Sequence, residues 1–316
     1  ESERIPFPKL INRSTIKAVE KRWDRNSLKF NEQCIGRMMI GFTGNRVITM
    51  DLCRNSKAME RAIWKDTRRT KIGWVDPAWT SAGDRCIWGW LEFGESNADG
   101  QIIRFGEDRI IPLVGGTRDE PDMQIANFVK AQADALGILP DNIFYGSTGR
   151  GTTGAAFARV FGYSVPVPIA EGGIPSARPV RHDLFVVDEN GDKRHKRCDE
   201  EYSKFITELW FSVRNVIECG QMRELPEEVI NEGCAREYTT VKGYKIEVES
   251  KEEMKETLGY SPDRFDGLTF GVEGARQRGF QIKRLGGEVV TENKDPDWLE
   301  REAESYQNVL KDCLLK

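Results

Sequence analysis

Beyond Lys71 the chain settles into short apolar runs separated by polar, glycine-rich breaks. "KIGWVD" reads as a buried strand, and "RCIWGWLEFG", "QIIRFG" and "RIIPLV" follow as β-rich runs divided by Gly, Asn and Asp. The period then changes. In "DMQIANFVKAQADALG", Ile125, Phe128, Val129 and Ala133 share one helical face, and Gly137 marks the stop. "NIFYG" predicts a strand, "TGAAFARVFG" a helix and "YSVPVPIA" a further strand. "RHDLFVVDENGDKRHKRCDE" reads as an exposed hairpin. "CDEEYSKFITELWFSVRNVIECG" predicts a long helix, "PEEVINEGC" a shorter one and "GYKIEVES" a strand. "SKEEMKETLG" and "SPDRFDGLTFGVEGARQRG" predict two more helices.

Residues 1–70 mix a helical segment, "STIKAVEKRWDR" with Ser14 as its cap, with "RVITMDL" and a charged, helix-like run through "KAMERAIWKDTRR". They hold too few apolar residues for a core of their own and read as a linker region leaning on a main domain at 71–280. Residues 281–316 form a charged tail ending in an amphipathic helix, "PDWLEREAESYQNVLKDCLL".

Three strands in succession, then helix, strand, helix, strand, helix, is not the alternation of a doubly wound sheet. The opening meander is antiparallel and the later strands arrive through helices, which gives a mixed sheet. That order makes an α/β, ribonuclease H-like fold a candidate.

Composition narrows the classes. The chain has 316 residues, 39% hydrophobic and 31% charged, enough for one large domain with an appendage or for two. No run of about 18 apolar residues would span a membrane. The start, "ESERIPFPKL", lacks a signal-peptide layout and reads as if cut from something longer. Seven scattered cysteines and two histidines argue against a disulfide framework or a zinc cluster and for a reducing compartment. A Ser-His-Asp mechanism would have to use His182 or His195, both in the polar hairpin. Charge is uneven: residues 1–71 hold 17 Lys and Arg against 8 Asp and Glu, and the remainder 30 against 43.

The glycine loop "NIFYGSTGRGTTG" invites a phosphate. Gly146 and Gly151 have the spacing of a nucleotide-binding P-loop, but Thr152 stands where its lysine belongs. ATP is therefore disfavoured, and a tight strand-to-helix turn explains the glycines equally well. The acids are more informative. Asp76 ends an apolar strand, and Pro77 stops the ladder; a buried carboxylate there is costly unless paired or bound to a cation. Asp84, in "SAGDRC", reads as turn chemistry. In "SPDRFDG", Ser261 can cap, Pro262 suits the first turn, and Asp263 is explained by the helix dipole alone. Asp266, beside Phe265 and Leu268, is not so easily explained. Carboxylates from a strand end and a facing helix can hold Mg2+ or Mn2+ for phosphodiester hydrolysis.

"GWVDPAWTSAGDRC", "STGRGTTG", "ELWFSVRNVIECGQMRELPEEVINE" and "IEVESKEEMKETLGYSPDRFDGL", in that order over about residues 70–275, resemble the C-terminal nuclease domain of the large subunit of tailed-bacteriophage terminases. "LINRSTIKAVEKRW…RVITMDL" is similar to the stretch that joins the family's ATPase part to its nuclease. The resemblance implies a ribonuclease H-like, two-metal endodeoxyribonuclease cutting concatemeric double-stranded DNA. It implies Mg2+ or Mn2+ held by Asp76 and Asp266, with Asp263 close by as a further catalytic acid. It also implies the terminase small subunit and the portal or procapsid as partners, no membrane, and the cytoplasm of an infected or lysogenic bacterial host. The family's middle acid falls at Gly146, so Glu171 or Asp141 must stand in, or cleavage is weak or lost. Arg68, Arg69, Arg150, Lys251 and Lys255 are the candidate DNA contacts. A silent DNA-binding or assembly module and another ribonuclease H-like nuclease, such as a resolvase, remain the competing readings.

Overall fold

The computed structural model describes residues 45–79, 85–116, 118–148, 152–188, 191–241, 244–258 and 261–283. In chain order, α1 (Met50–Asn55) leads to β1 (Trp64–Asp76), β2 (Ile87–Ser96) and β3 (Gly100–Ile110). Then come α2 (Pro121–Leu136), β4 (Ile143–Gly146), α3 (Thr152–Phe161) and β5 (Val167–Ile169). A hairpin of β6 (Phe185–Val187) and β7 (Lys193–His195) precedes α4 (Cys198–Glu201), α5 (Phe205–Glu218), β8 (Met222–Arg223) and α6 (Glu227–Gly233). A second hairpin, β9 (Tyr238–Thr240) and β10 (Ile246–Val248), is followed by α7 (Lys251–Leu258) and α8 (Asp263–Gln277). No described helix is long and apolar enough to cross a membrane.

The main sheet runs in the order β5-β4-β1-β2-β3-β8. β1, β2 and β3 form the antiparallel meander, while β4 and β5 join in parallel at one side and β8 in parallel at the other. This mixed sheet between helices is the ribonuclease H-like arrangement. Side chains alternate across β1, so the two faces build two cores. Ile72 and Trp74 pack with Leu209, Trp210, Phe265 and Leu268 of α5 and α8, whereas Val75 packs with Ile125, Val129 and Phe157 of α2 and α3.

A glycine stripe seats α8 on the sheet. Gly267, Gly271 and Gly274 recur at four and three residues on one helical face. A Cβ added at these positions would lie 2.7 Å and 2.5 Å from the Trp74 ring and 2.4 Å from the Phe144 ring. Only a bare backbone fits that closely, and it brings the first turn of α8 to the end of β1.

Local patterns yielded to pairing in several places. The helix-like run through "KAMERAIWKDTRR" ends in strand: β1 begins at Trp64, and its residues pair with β2, Trp64 with Ser96 and Arg69 with Gly94. "QIIRFG" and "RIIPLV" do not form two strands, because β3 continues to Ile110 through a bulge. Trp90 pairs with Glu107 and Leu91 with Phe105, which leaves Gly106 unopposed under the Trp90 ring. The long helix from Cys198 breaks at Tyr202, which is extended and bridges Ile246, and Ser203 N–H donates to the Ile246 carbonyl at 3.0 Å. The segment before β1 joins the main core through Val47, Ile48, Cys53 and Ala58. The helix expected over "STIKAVEKRWDR" and the one in the tail lie outside the described residues.

Candidate active site

Asp76 stands at the carboxyl end of β1, and Asp263 and Asp266 stand in the first turn of α8. All three are buried, and all three face the Lys251 ammonium at the start of α7. Lys251 Nζ lies 3.1 Å from Asp266 Oδ2, 3.6 Å from Asp76 Oδ2 and 3.7 Å from Asp263 Oδ1. The acids singled out in the sequence thus converge from a strand end and a helix N-terminus on one cation.

Asp266 and Asp263 are each held by residues that the sequence did not single out. Trp210, on α5, stacks against Phe265 and donates its indole N–H to Asp266 Oδ1 at 3.0 Å. The Arg236 guanidinium lies 4.6 Å over the Trp210 ring, with Nη1 3.5 Å from Asp266 Oδ1. Its Nε and Nη2 donate to the Glu249 carbonyl at 3.0 and 2.7 Å, which fixes the chain just ahead of Lys251. Arg85 N–H donates to Asp263 Oδ2 at 2.8 Å, and its guanidinium pairs with Glu232 at 2.7 Å. Glu232 in turn accepts from the Arg264 and Phe265 N–H groups, capping α8 from outside the helix. On the other face, Asp122 gathers Trp79, Thr152 and Thr153 at 2.6–2.7 Å, tying the exit of β1 to the start of α3.

The electrostatics follow from burial and crowding. Burial pushes the Asp76 carboxyl well above the usual range; Lys251 opposes this, while Asp266, Glu171 and Asp263 add to it. Burial works against the Lys251 ammonium too, yet Asp266, Asp76 and Asp263 hold its pKa above the ordinary lysine value. Burial, reinforced by Asp266, raises Glu171 to about 7.

These donors suit a hard divalent cation. All are carboxylates, they outnumber the cation among them, and buried Asp263 Oδ1 accepts no hydrogen bond. The Lys251 ammonium occupies the position between them. Among the described residues no group of three or more His, Cys, Asp or Glu is already placed to hold a metal ion; the aspartates surround the ammonium instead.

The other sequence candidates fall at varied distances. Gly146 ends β4 beside Asp76, because Val75 pairs with Tyr145. Glu171 lies just past β5, whose Ile169 pairs with Gly146. Asp141 sits at the opposite end of β4, exposed, with Arg278 3.9 Å away, so it does not stand in for an acid at Gly146. Arg69, seven residues before Asp76 on β1, is about 23 Å away along the strand. Arg68 pairs there with Asp66, and Arg69 with Glu92. Arg150, Asp84 and the side chain of Lys255 lie outside the described residues.

The strand order defines a ribonuclease H-like α/β fold. No protein-family profile and no curated protein matches the chain. Among solved structures it is similar to the nuclease domain of the large terminase subunit gp2 of bacterial virus Sf6. Identity is 13% and the TM-score 0.47, over 72% of this chain and 98% of that one. A mutant of the Sf6 domain with manganese matches at 14% identity and a TM-score of 0.47, with the same coverage. The large terminase nuclease from thermophilic phage G20c matches over the same shares at 10% identity and a TM-score of 0.39.

Proposed function

We propose that this chain is the nuclease part of a phage DNA-packaging terminase, cutting double-stranded DNA by metal-dependent phosphodiester hydrolysis. The observation that carries the chemistry is the convergence of buried Asp76, Asp263 and Asp266 on the single cationic position held by Lys251. The packaging context rests on the ordered sequence segments that resemble the terminase family, and with it come concatemeric DNA, the small subunit, the portal or procapsid and the host cytoplasm.

Asp76 and Asp266 would hold Mg2+ or Mn2+, with Asp263 beside them. Bound there, the ion supplies an activated water and steadies the oxygen that leaves phosphorus. The protein's own part is to aim the acids at one point. Lys251 offsets part of their charge when no ion is bound; displaced, its ammonium is available to a DNA phosphate. Trp210 and Arg236 fix the Asp266 rotamer, and Arg85 fixes Asp263.

Incubation with linear duplex DNA and Mn2+ tests the reading: cleavage is expected from wild type and not from Asp266→Asn. Gly146 favours a second reading, a DNA-binding module of the same machinery with little or no cleavage. DNA binding without Mn2+ binding would select it. Preference for branched over linear DNA would instead select a resolvase-like nuclease.

A further inference from the structure

The carboxylate missing from the end of β4 has a neighbour in space. A Cβ built on Gly146 would lie 3.4 Å from Glu171 Oε1 and 3.0 Å from the Phe270 ring. The room a side chain at 146 would enter is therefore already bounded by the carboxylate of Glu171, which arrives from the adjacent strand. The backbone aims it there. Pairing of Gly146 with Ile169 sets the end of β5 against the end of β4. A turn then closes with Gly173 N–H on the Ala170 carbonyl, and the Glu171 carbonyl accepts from Ile206 N–H at 3.1 Å, pinning the turn to α5.

Glu171 is half-buried, yet among the described residues its carboxylate accepts no hydrogen bond and joins no ion pair. Its charge repels those of Asp76 and Asp266, and the Lys251 and Arg236 cations offset this only in part. An acid with neither hydrogen bond nor ion pair beside a crowded carboxylate cluster costs stability. Nearby, Asp263 Oδ1 is buried without a hydrogen bond, although the Lys251 ammonium is directed at it. Both features are accounted for by a divalent cation, which takes several oxygen ligands.

We propose that Glu171 is a ligand-supplying residue of the cation site, delivering from β5 the carboxylate that β4 lacks at Gly146. This rests on the reading of Asp76 and Asp266 as cation ligands. Replacing one strand's acid by the next strand's keeps the charge of the cluster while leaving space for the Phe270 ring.

The test is Mn2+ binding by calorimetry, together with melting temperature in EDTA and in Mn2+, for wild type, Glu171→Gln, Glu171→Asp and Asp76→Asn. Glu171→Gln should weaken Mn2+ binding by at least about tenfold while its melting temperature in EDTA stays level or rises. A group needed only for packing would not produce that opposed pair of changes. Glu171→Asp, which keeps the charge on a shorter side chain, should fall between wild type and Glu171→Gln. Equal loss of binding and stability in both Glu171 variants would give Glu171 a packing role and overturn the proposal. Wild-type Mn2+ affinity in Glu171→Gln, with binding lost in Asp76→Asn, would overturn it and leave the aspartate site standing. Equal affinity in wild type and Asp76→Asn, or no binding by wild type, would overturn the aspartate reading and this proposal with it.

Discussion

Lys251 Nζ lies closer to Asp266 Oδ2, at 3.1 Å, than to the nearest oxygen of Asp76 or Asp263. One ammonium therefore bridges the strand end and the helix start, and it offsets part of the charge of three crowded, buried carboxylates. Lys251→Met removes that compensation and retains most of the packing of the side chain. Lys251 is 32% exposed, so the loss in EDTA should lie between surface and buried limits, on the order of 2 kcal/mol. Mn2+ should raise the melting temperature of the variant more than that of wild type.

Stability without metal should also depend on pH through Glu171. Its folded-state pKa of about 7 exceeds the ordinary 4.5, so the folded protein holds this proton more tightly than the unfolded chain does. The contribution is fully present below about pH 4.5 and is lost as pH rises through about 7. Urea unfolding in EDTA should show this decline, and Glu171→Gln should flatten it.

The glycine stripe of α8 makes a packing prediction. Alanine at 271 would place its Cβ 2.5 Å from Trp74 Cε3 and 3.0 Å from a Leu91 methyl, both in the core. Overpacking of this kind costs about 1–3 kcal/mol. Because the same helix carries Asp263 and Asp266, Gly271→Ala should lower both the denaturation midpoint and Mn2+ affinity, although residue 271 is not among the acids.

Gly146→Asp does not by itself repair the site. Gly146 is not among the residues with positive φ, so the backbone admits aspartate without strain. The side chain, however, would enter within 3.0 Å of the Phe270 ring and 3.4 Å of Glu171 Oε1. The single variant should melt lower in EDTA than wild type. Combining it with Glu171→Gln should recover Mn2+ affinity relative to Glu171→Gln alone, measured by the same titration.

Asp76 and Asp266 were legible because each broke a local rule. Asp76 closes an apolar strand, and Asp266 sits in the apolar register of a helix. The succession of strands and helices was legible in outline too, since long runs with clear period reveal their type. Trp210, Arg236, Arg85 and Glu232 were not. Each sits in a stretch where a buried aromatic or a surface charge is unremarkable, and each acquires its role only when α5, α6, the approach to β2 and the segment between α6 and β9 meet α8. The two-residue strand β8, the break at Tyr202 and the bulge at Gly106 were invisible for the same reason: partner strands create them, not local sequence.

The proposed role of Asp76 and its partner aspartates in metal-dependent DNA cleavage is decided by plasmid nicking, with wild type and Asp76→Asn each assayed in Mn2+ and in EDTA after their folds are matched by circular dichroism. Nicked and linear DNA are expected only from wild type in Mn2+, with Asp76→Asn inactive in both. Cleavage by Asp76→Asn at the wild-type rate, or undiminished cleavage in EDTA, would contradict that role.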